Sequence, residues 1–151
     1  MKVMIAGSFD PITLGHADLI SRTAALFDSV TVCIAVNSEK KYMYGIDKRR
    51  LMVETYCKQF PNVTVDVCDG LVAEYAVKNR IDVIVKGIRT AADFDYEYQI
   101  DCINKSIAPI ETLLLPSSPK YMHLSSTAVR EMIKYGQDMS KYVPGSVLDL
   151  L

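Results

Sequence analysis

The strongest candidate for chemistry is the first loop, residues 7–16, which lies between a short apolar run and an amphipathic run that begins at Ala17. Gly7 lets the chain turn, and Gly15 would let backbone approach a phosphate closely. His16 would stand in the first turn of a helix, where free N–H groups and the positive end of the helix dipole favour anions. The order of strand, loop and helix therefore predicts a nucleotide phosphate site at the first loop.

Three other clusters of polar residues also follow predicted strands. They are Lys40 with Lys41, the Lys-Gly-Ile-Arg stretch at residues 86–89 and the His-Leu-Ser-Ser-Thr stretch at residues 123–127. The carboxyl ends of parallel strands meet at one edge of a sheet, which is where ligands bind in open α/β folds. We therefore expect these clusters to converge with the first loop on one site.

The elements that must position these clusters alternate along the chain. Apolar runs predict strands at residues 3–6, 30–36, 63–67, 81–85 and 111–115. Helical patterns fall between them, beginning at Ala17 and covering residues 47–59, 71–79, 91–107 and 125–135. The implied fold is α/β, a single Rossmann-like domain over residues 1–151 with about five parallel strands and helices on both faces of the sheet.

Two of the predicted helices carry expectations about burial. In the helix at residues 47–59, Asp47 is expected to cap the N-terminus, and the exposed side is expected to carry Lys48, Arg49 and Glu54. In the helix at residues 91–107, the apolar spacing predicts a buried side formed by Phe94, Ile100, Ile103 and Ile107.

Composition limits the classes of partner. The formal charge of −1 and the isoelectric point near 6.1 supply no general attraction for nucleic acid or for an anionic membrane. We therefore expect a small-molecule partner that is held by local charges. No signal peptide or membrane-spanning run is recognisable in the sequence, which predicts a cytoplasmic protein without a membrane partner.

The cysteines are scattered along the chain at Cys33, Cys57, Cys68 and Cys102. They form no Cys-x-x-Cys pair, and the chain has only two histidines, so the spacing indicates neither a zinc site nor a disulfide framework. Reduced, buried thiols are expected, and no residue is predicted as a ligand to a resident metal.

The first loop differs from the two commonest phosphate-binding motifs, because it lacks both the Gly-x-Gly-x-x-Gly spacing and the Gly-Lys-Ser/Thr ending. It reads Ser-Phe-Asp-Pro at residues 8–11 and Thr-Leu-Gly-His at residues 13–16, and Ser-Ser-Thr follows at residues 125–127. With these motifs the chain resembles the T-x-G-H nucleotidyltransferase superfamily. Three further stretches, at residues 86–89, 93–97 and 115–117, narrow the resemblance to the bacterial phosphopantetheine adenylyltransferase family, nearly end to end.

That resemblance implies an activity and its partners. The expected reaction transfers AMP from ATP to 4′-phosphopantetheine and gives dephospho-coenzyme A and pyrophosphate, a step of coenzyme A biosynthesis. Mg²⁺ is expected to be carried with ATP. The resemblance also implies a homohexamer.

The resemblance also assigns roles to individual residues. The implied catalytic residues are His16, Lys40 and Arg89. The implied ATP contacts are Ser8, Phe9, His16, Gly87, Ile88, Arg89, Glu97, Tyr121, Met122, His123, Leu124, Ser125, Ser126 and Thr127. The implied contacts to 4′-phosphopantetheine are Ser8, Lys40, Val72 and Lys86. The family usually has Thr at the position of Ser8 and Arg at that of Lys86, and a lysine keeps the charge of an arginine but loses its bidentate fork.

These residue types suit nucleotidyl transfer, which needs alignment and charge stabilisation more than a covalent nucleophile. His16 can donate a hydrogen bond to an α-phosphate oxygen whose negative charge grows in the transition state. Lys40, Lys86 and Arg89 can hold two anionic substrates against their mutual repulsion. The helix that opens at Ser125 can offer N–H groups to the β- and γ-phosphates.

Other interpretations stay open at this point. A related nucleotidyltransferase that acts on nicotinate mononucleotide or uses CTP would show similar motifs. A catalytically silent module that binds nucleotide or coenzyme A would share the fold without turnover. His16 on its own could be a helix-terminal histidine bound by backbone, and the hydroxyls at residues 125–127 could form only a helix cap.

Overall fold

A computed structural model describes residues 1–151 and contains one sheet of five parallel strands. The strands are β1 (Lys2–Gly7), β2 (Ser29–Val36), β3 (Val63–Asp69), β4 (Val83–Ile88) and β5 (Glu111–Pro116). The helices are α1 (Leu14–Leu26), α2 (Ile46–Cys57), α3 (Val72–Lys78), α4 (Ala91–Ile107) and α5 (Ser126–Lys134). Short 3-10 turns cover Pro119–Tyr121 and Gly145–Leu150. The predicted α/β fold with five parallel strands is confirmed.

The sheet is buried on both faces because alternate residues of β1 enter two different cores. Val3 and Ile5 belong to a core that also holds Ile20 of α1 and Met52 of α2. The other face, formed in part by Met4 and Ala6, packs against Ala73 and Ala76 of α3 and against Ile84 of β4. Side chains alternate between the two faces of a strand, so a strand covered on both sides reads as a continuous apolar run.

The strand order β3-β2-β1-β4-β5 determines where a ligand can bind. From β1 the chain moves outward to β2 and β3, and it then crosses back to place β4 on the opposite side of β1. The topological switch therefore lies between β1 and β4, and a crevice opens at the carboxyl ends of strands at such a point. The first loop follows β1 directly at this crevice.

Several element boundaries differ from the predicted ones. Strand β4 begins at Val83 instead of residue 81 and continues through residues 86–88, because these residues pair with residues 114–116 of β5. Helix α1 begins at Leu14, ahead of the amphipathic run, because the Thr13 hydroxyl caps it. Gly45, and not Asp47, occupies the N-cap position of α2. Helix α4 has the predicted range.

The burial predictions for α2 and α4 are partly wrong. Arg49 is only 1% exposed, because its side chain points from α2 towards the first loop. In α4, Phe94, Ile103 and Ile107 are 45%, 54% and 39% exposed. This helix packs against α3, β4 and β5, and Ile103 and Ile107 are exposed because they face a cavity, whereas Phe94 lies outside that cavity.

The thiol prediction holds for three of the four cysteines. Cys33, Cys57 and Cys68 are buried and free, whereas Cys102 on α4 is free but exposed. None of the helices combines the length and the apolar character that crossing a membrane requires.

Candidate active site

A cavity of about 780 Å³ opens at the carboxyl ends of β1 and β4. Residues from all four polar clusters contribute to its wall, so the expected convergence occurs. Much of the remaining wall comes from α4, which adds Asp93, Tyr96 and Ile100.

Most of the residues that the resemblance singled out lie in this cavity wall. They are Ser8, Phe9, His16, Lys40, Val72, Lys86, Gly87, Arg89, Glu97, Leu124, Ser125, Ser126 and Thr127. Four others lie outside it: Ile88, Tyr121, Met122 and His123. Met122 and His123 are exposed, and Tyr121 lines a separate shallow pocket beside α1. The cavity therefore brings together all the catalytic candidates and all the candidates for contact with 4′-phosphopantetheine. Of the predicted ATP contacts at residues 121–127, only residues 124–127 line it.

The hydrogen bonds of His16 define which ring nitrogen carries its proton. The backbone N–H of Thr13 donates to Nδ1 at 3.0 Å, while the His16 N–H donates to the Thr13 hydroxyl at 3.3 Å. The two residues thus form a reciprocal capping box at the start of α1. A nitrogen that accepts from an N–H is unprotonated, so the neutral ring carries its hydrogen on Nε2.

His16 is neutral at physiological pH. Burial, together with the positive charge of Arg89, lowers the pKa of His16 to about 4. The Phe9 ring packs against the imidazole with centroids 4.9 Å apart and planes at 53°. The result is a fixed, uncharged Nε2–H donor in the cavity wall.

The backbone around Phe9 is held by two arginine side chains. Phe9 is 1% exposed and has φ of 48°, a left-handed conformation that is unusual for a residue with a side chain. On one side, Arg49 Nη1 donates to the Ser8 carbonyl at 2.7 Å. On the other side, Arg130 Nη1 donates to the Asp10 carbonyl at 2.9 Å. These bonds stabilise the turn that places the Phe9 ring against His16.

Gly7 is needed for close packing more than for the turn that the sequence suggested. It is the last residue of β1 and has no left-handed φ. A Cβ atom at this position would lie 3.2 Å from the ring of Phe9. The missing side chain therefore leaves the room in which the Phe9 ring sits.

Two of the three predicted cations already have carboxylate partners. Lys86 Nζ lies 3.4 Å from Glu97 Oε2, and Arg89 Nε lies 3.2 Å from Asp93 Oδ2. Arg89 also donates through Nη1 to the Leu124 carbonyl at 2.7 Å, which connects β4 to the start of α5. Lys40 is exposed and makes no ion pair, so its charge is available at the cavity mouth.

The N-terminus of α5 completes the site. Ser125 is the N-cap, and its hydroxyl accepts from the Ala128 N–H at 3.1 Å. Ser126 and Thr127 form the first turn and line the cavity. Free N–H groups in a first helical turn favour anionic groups. The hydroxyl of Ser125 therefore caps the helix while the turn itself faces the ligand space.

Sequence reasoning missed three residues that shape the site without lining the cavity, namely Arg49, Asp10 and Arg130. Arg49 was placed on the exposed side of its helix, and Asp10 was quoted only as part of a motif. Asp10 is 2% exposed, and its two carboxylate oxygens accept from the N–H groups of Met43 and Tyr44. Periodicity gave no signal for Arg49, because an arginine in an amphipathic helix is usually solvent-exposed.

The sequence pattern of the cytidylyltransferase-like family matches residues 4–132. A phosphopantetheine adenylyltransferase of Caldanaerobacter subterraneus subsp. tengcongensis is 43% identical and covers 100% of this chain and 96% of its own length. Those of Cutibacterium acnes and Shouchella clausii are 41% and 40% identical, cover 97% and 99% of this chain, and 94% and 95% of their own. The chain belongs to the phosphopantetheine adenylyltransferase family. The predicted resemblance is confirmed.

A solved protein structure with a similar fold supports the architecture of this member of the phosphopantetheine adenylyltransferase family. The crystal structure of a candidate nicotinate-nucleotide adenylyltransferase from Vibrio parahaemolyticus superposes with a TM-score of 0.73 and 21% identity. The superposition covers 99% of this chain and 90% of the Vibrio parahaemolyticus chain. At this identity the likeness concerns the Rossmann-like nucleotidyltransferase fold.

The cavity carboxylates are already engaged by protein cations. Asp93 pairs with Arg89, Glu97 with Lys86, and Asp18 accepts from Arg22 and Ser118. No group of three or more His, Cys, Asp or Glu side chains is arranged to hold a metal ion.

Proposed function

We propose that this chain transfers AMP from ATP to 4′-phosphopantetheine, forming dephospho-coenzyme A and pyrophosphate in coenzyme A biosynthesis. The observation that carries the proposal is the neutral, fixed Nε2–H of His16 in one cavity with Lys40, Lys86 and Arg89. Membership of the phosphopantetheine adenylyltransferase family supports the choice of substrates. Residues 1–151 would act as one nucleotidyltransferase domain.

In the proposed reaction, a phosphate oxygen of the acceptor forms a bond to the α-phosphorus of ATP. The bond from the α-phosphorus to the bridging oxygen breaks, and pyrophosphate leaves with that electron pair. His16 donates a hydrogen bond from Nε2 to an α-phosphate oxygen whose charge grows in the transition state. Because the pKa of His16 is about 4, the ring acts as a neutral donor and no proton transfer from it is required.

In the proposed complex, the three cations and the first turn of α5 bind different phosphate groups. We assign Lys40 to the acceptor's phosphate, with Ser8, Val72 and Lys86 beside it. Arg89 is assigned to ATP, because its guanidinium also contacts the start of α5. Ser126 and Thr127 are assigned to the β- and γ-phosphates, for which a first helical turn is suited. The other predicted ATP contacts, including Ile88, Tyr121, Met122 and His123, stay predictions.

Mg²⁺ is proposed to enter as the ATP complex. It usually keeps several waters and binds through substrate phosphates with few protein ligands. The ion pair of Asp93 with Arg89 and the hydrogen bonds that Asp18 accepts support that route, whereas Glu97 Oε2 is held only by its ion pair with Lys86 and accepts no hydrogen bond.

We also propose a cytoplasmic homohexamer. Support for the assembly comes from α4, where Phe94 and Tyr98 are 45% and 57% exposed and stack with centroids 6.1 Å apart. An exposed apolar face of this kind marks an interaction site. The four free thiols are typical of a reducing compartment.

A pyrophosphate-release assay tests the activity. The chain is mixed with Mg²⁺, each nucleoside triphosphate and a panel of phosphorylated acceptors. We expect the fastest release with ATP and 4′-phosphopantetheine. Faster turnover with CTP or with nicotinate mononucleotide would assign the chain to a related reaction, and silence across the panel would indicate a binding module.

A further inference from the structure

The Lys40 segment, residues 37–45, connects β2 to α2 and carries the unpaired cation of the cavity mouth. Residues 37–41 are exposed. Their internal bonds form one turn, in which the Lys40 N–H donates to the Asn37 carbonyl at 3.1 Å and the Glu39 N–H donates to Asn37 Oδ1 at 2.9 Å. An exposed turn of this kind does not fix a lysine relative to the cavity, so other contacts must do so.

Tyr42 provides the first of these contacts. Its phenol oxygen accepts from the Asn37 N–H at 2.8 Å and so closes the turn that carries Lys40. The guanidinium carbon of Arg49 lies 3.9 Å from the centre of the Tyr42 ring. A guanidinium over an aromatic face is attracted by the ring, most strongly where water is excluded. Tyr42 thereby joins the Lys40 segment to α2.

Arg49 carries the connection onward to the first loop, through its bond to the Ser8 carbonyl. Its side chain is 1% exposed, and its Nε atom is buried without a hydrogen-bond partner. Burying a charged group with an unmet donor destabilises a fold. Folding stability alone is therefore a poor account of this arginine.

Asp10 makes a second connection between the same two segments. It belongs to the first loop, and its carboxylate binds the N–H groups of Met43 at 2.8 Å and Tyr44 at 2.9 Å. The Lys40 segment is thus attached to the first loop at three consecutive residues that follow its turn, by Arg49 through Tyr42 and by Asp10 directly at Met43 and Tyr44.

We propose that Arg49 and Tyr42 are positioning residues for Lys40, holding its segment against Ser8 so that the ammonium group meets the acceptor's phosphate. Neither residue lines the cavity, so both act through Lys40 and the first loop. Holding a binding group in place before the ligand arrives strengthens binding without adding a contact. The inference rests on the proposed function, because the acceptor is taken to be 4′-phosphopantetheine.

Steady-state kinetics of the full chain test the functional part. We expect Tyr42→Ala and Arg49→Lys to raise the KM for 4′-phosphopantetheine about 10-fold, the effect of losing one positioned contact, and to leave the KM for ATP within about twofold. Only Arg49→Lys should also lower kcat, because Arg49 holds the turn that places Phe9 against His16. Tyr42→Phe keeps the ring but loses the bond to Asn37, so it should fall between these variants and wild type. The control is Arg50→Met, which removes an exposed cation from the same helix that pairs with Glu54 and not with the Lys40 segment, and both KM values should be unchanged.

A double-mutant cycle shows whether the effect passes through Lys40. Lys40→Ala alone should raise the acceptor KM, and adding Tyr42→Ala to it should raise that KM no further. Additive effects would overturn the inference. Equal increases in both KM values would also overturn it, because they would indicate a general loss of structure.

Amide hydrogen exchange gives a readout that does not depend on turnover. In Tyr42→Ala and Arg49→Lys we expect residues 37–44 to exchange about 10-fold faster or more, with β1 and α1 unchanged. Unchanged exchange in this segment would overturn the positioning role. A wild-type chain that does not turn over 4′-phosphopantetheine would contradict the proposed function instead, and exchange would still decide whether Arg49 and Tyr42 hold the segment.

Discussion

The N–H of Thr13 donates to Nδ1 of His16 at 3.0 Å, so the cap that begins α1 also selects the tautomer of the histidine. The selected form carries hydrogen on Nε2. Because burial keeps the ring neutral, this donor is present without protonation from solvent. The same hydrogen bond that caps α1 therefore keeps the Nε2–H of His16 available to stabilise the transition state.

The first prediction concerns the size of that contribution. Loss of one transition-state hydrogen bond typically costs about 10²–10³ in kcat, so His16→Ala should lose at least that much. Because the interaction is proposed to be stronger in the transition state than with bound ATP, kcat and kcat/KM should fall together. Calorimetry should show nearly unchanged ATP affinity. Affinity lost in proportion to activity would make His16 a ground-state binding residue.

The second prediction concerns pH. Burial and Arg89 lower the pKa of His16 from its ordinary 6.5 to about 4, so the ring stays neutral down to about that pH. No decrease in kcat/KM due to His16 is expected as pH falls from 8 to 6, because the pH dependence of kcat/KM reports on the free enzyme. NMR titration of the imidazole should give a midpoint near 4, and a midpoint near 6.5 would contradict the neutral-donor mechanism.

The same shift predicts a loss of stability in acid. Between pH 6.5 and about 4 the unfolded chain binds a proton at His16 that the folded chain does not. The free energy of unfolding therefore decreases as pH falls through this window. Urea titrations should show that His16→Ala loses less stability than wild type over that range. Parallel losses would show that other groups account for the acid sensitivity.

The chain order and the motifs were sufficient to predict the sheet and the convergence of the four polar clusters in one cavity, but not the part of the wall that α4 contributes. Apolar runs identify strands that are buried on both faces, and the carboxyl ends of such strands must meet, so the placement of His16, Lys86 and Arg89 followed from local patterns. Arg49 could not be placed in this way. Its burial depends on a contact between α2 and the first loop, which are far apart in sequence.

The exposed apolar residues of α4 show a different limit of prediction from the sequence. Helical spacing correctly groups Ile103 with Ile107, which both line the cavity, but Phe94 lies on a different side of the helix and stacks with Tyr98. The spacing does not show whether this chain or another copy covers an exposed apolar side chain. Gly7 shows a similar limit of sequence-based prediction. A glycine that leaves space for a neighbouring ring and a glycine that allows a turn cannot be told apart from the sequence.

The third prediction tests α4 as an interface. Tyr98→Glu places a charge on the exposed stack with Phe94, and a charge buried at an interface without a partner opposes association. Light scattering should give a hexamer mass for wild type and a smaller mass for the variant. Tyr135→Glu serves as the control, because Tyr135 is 73% exposed at the end of α5. A hexamer mass for Tyr98→Glu would show that the interface lies elsewhere.

The fourth prediction separates the roles of the two glycines of the first loop. In Gly7→Ala the new methyl group would lie 3.2 Å from the ring of Phe9, which is 1% exposed and has little room to move. Such overpacking typically costs about 1–3 kcal/mol, and displacing the ring should also lower kcat by disturbing His16. Urea unfolding and steady-state kinetics measure the two effects. Wild-type stability would show that the ring moves away freely.

Gly15→Ala is the matched variant. Its methyl group would meet only the Thr13 hydroxyl at 3.5 Å, an ordinary contact, and Gly15 lies in the first turn of α1. Alanine is favoured over glycine in a helix by about 0.5–1 kcal/mol, so stability should be equal or higher. If backbone at Gly15 approaches a phosphate, as we predict, the methyl group should weaken ATP binding measured by calorimetry. A stable variant with wild-type ATP affinity would remove Gly15 from the phosphate site and leave the helix start as its only role.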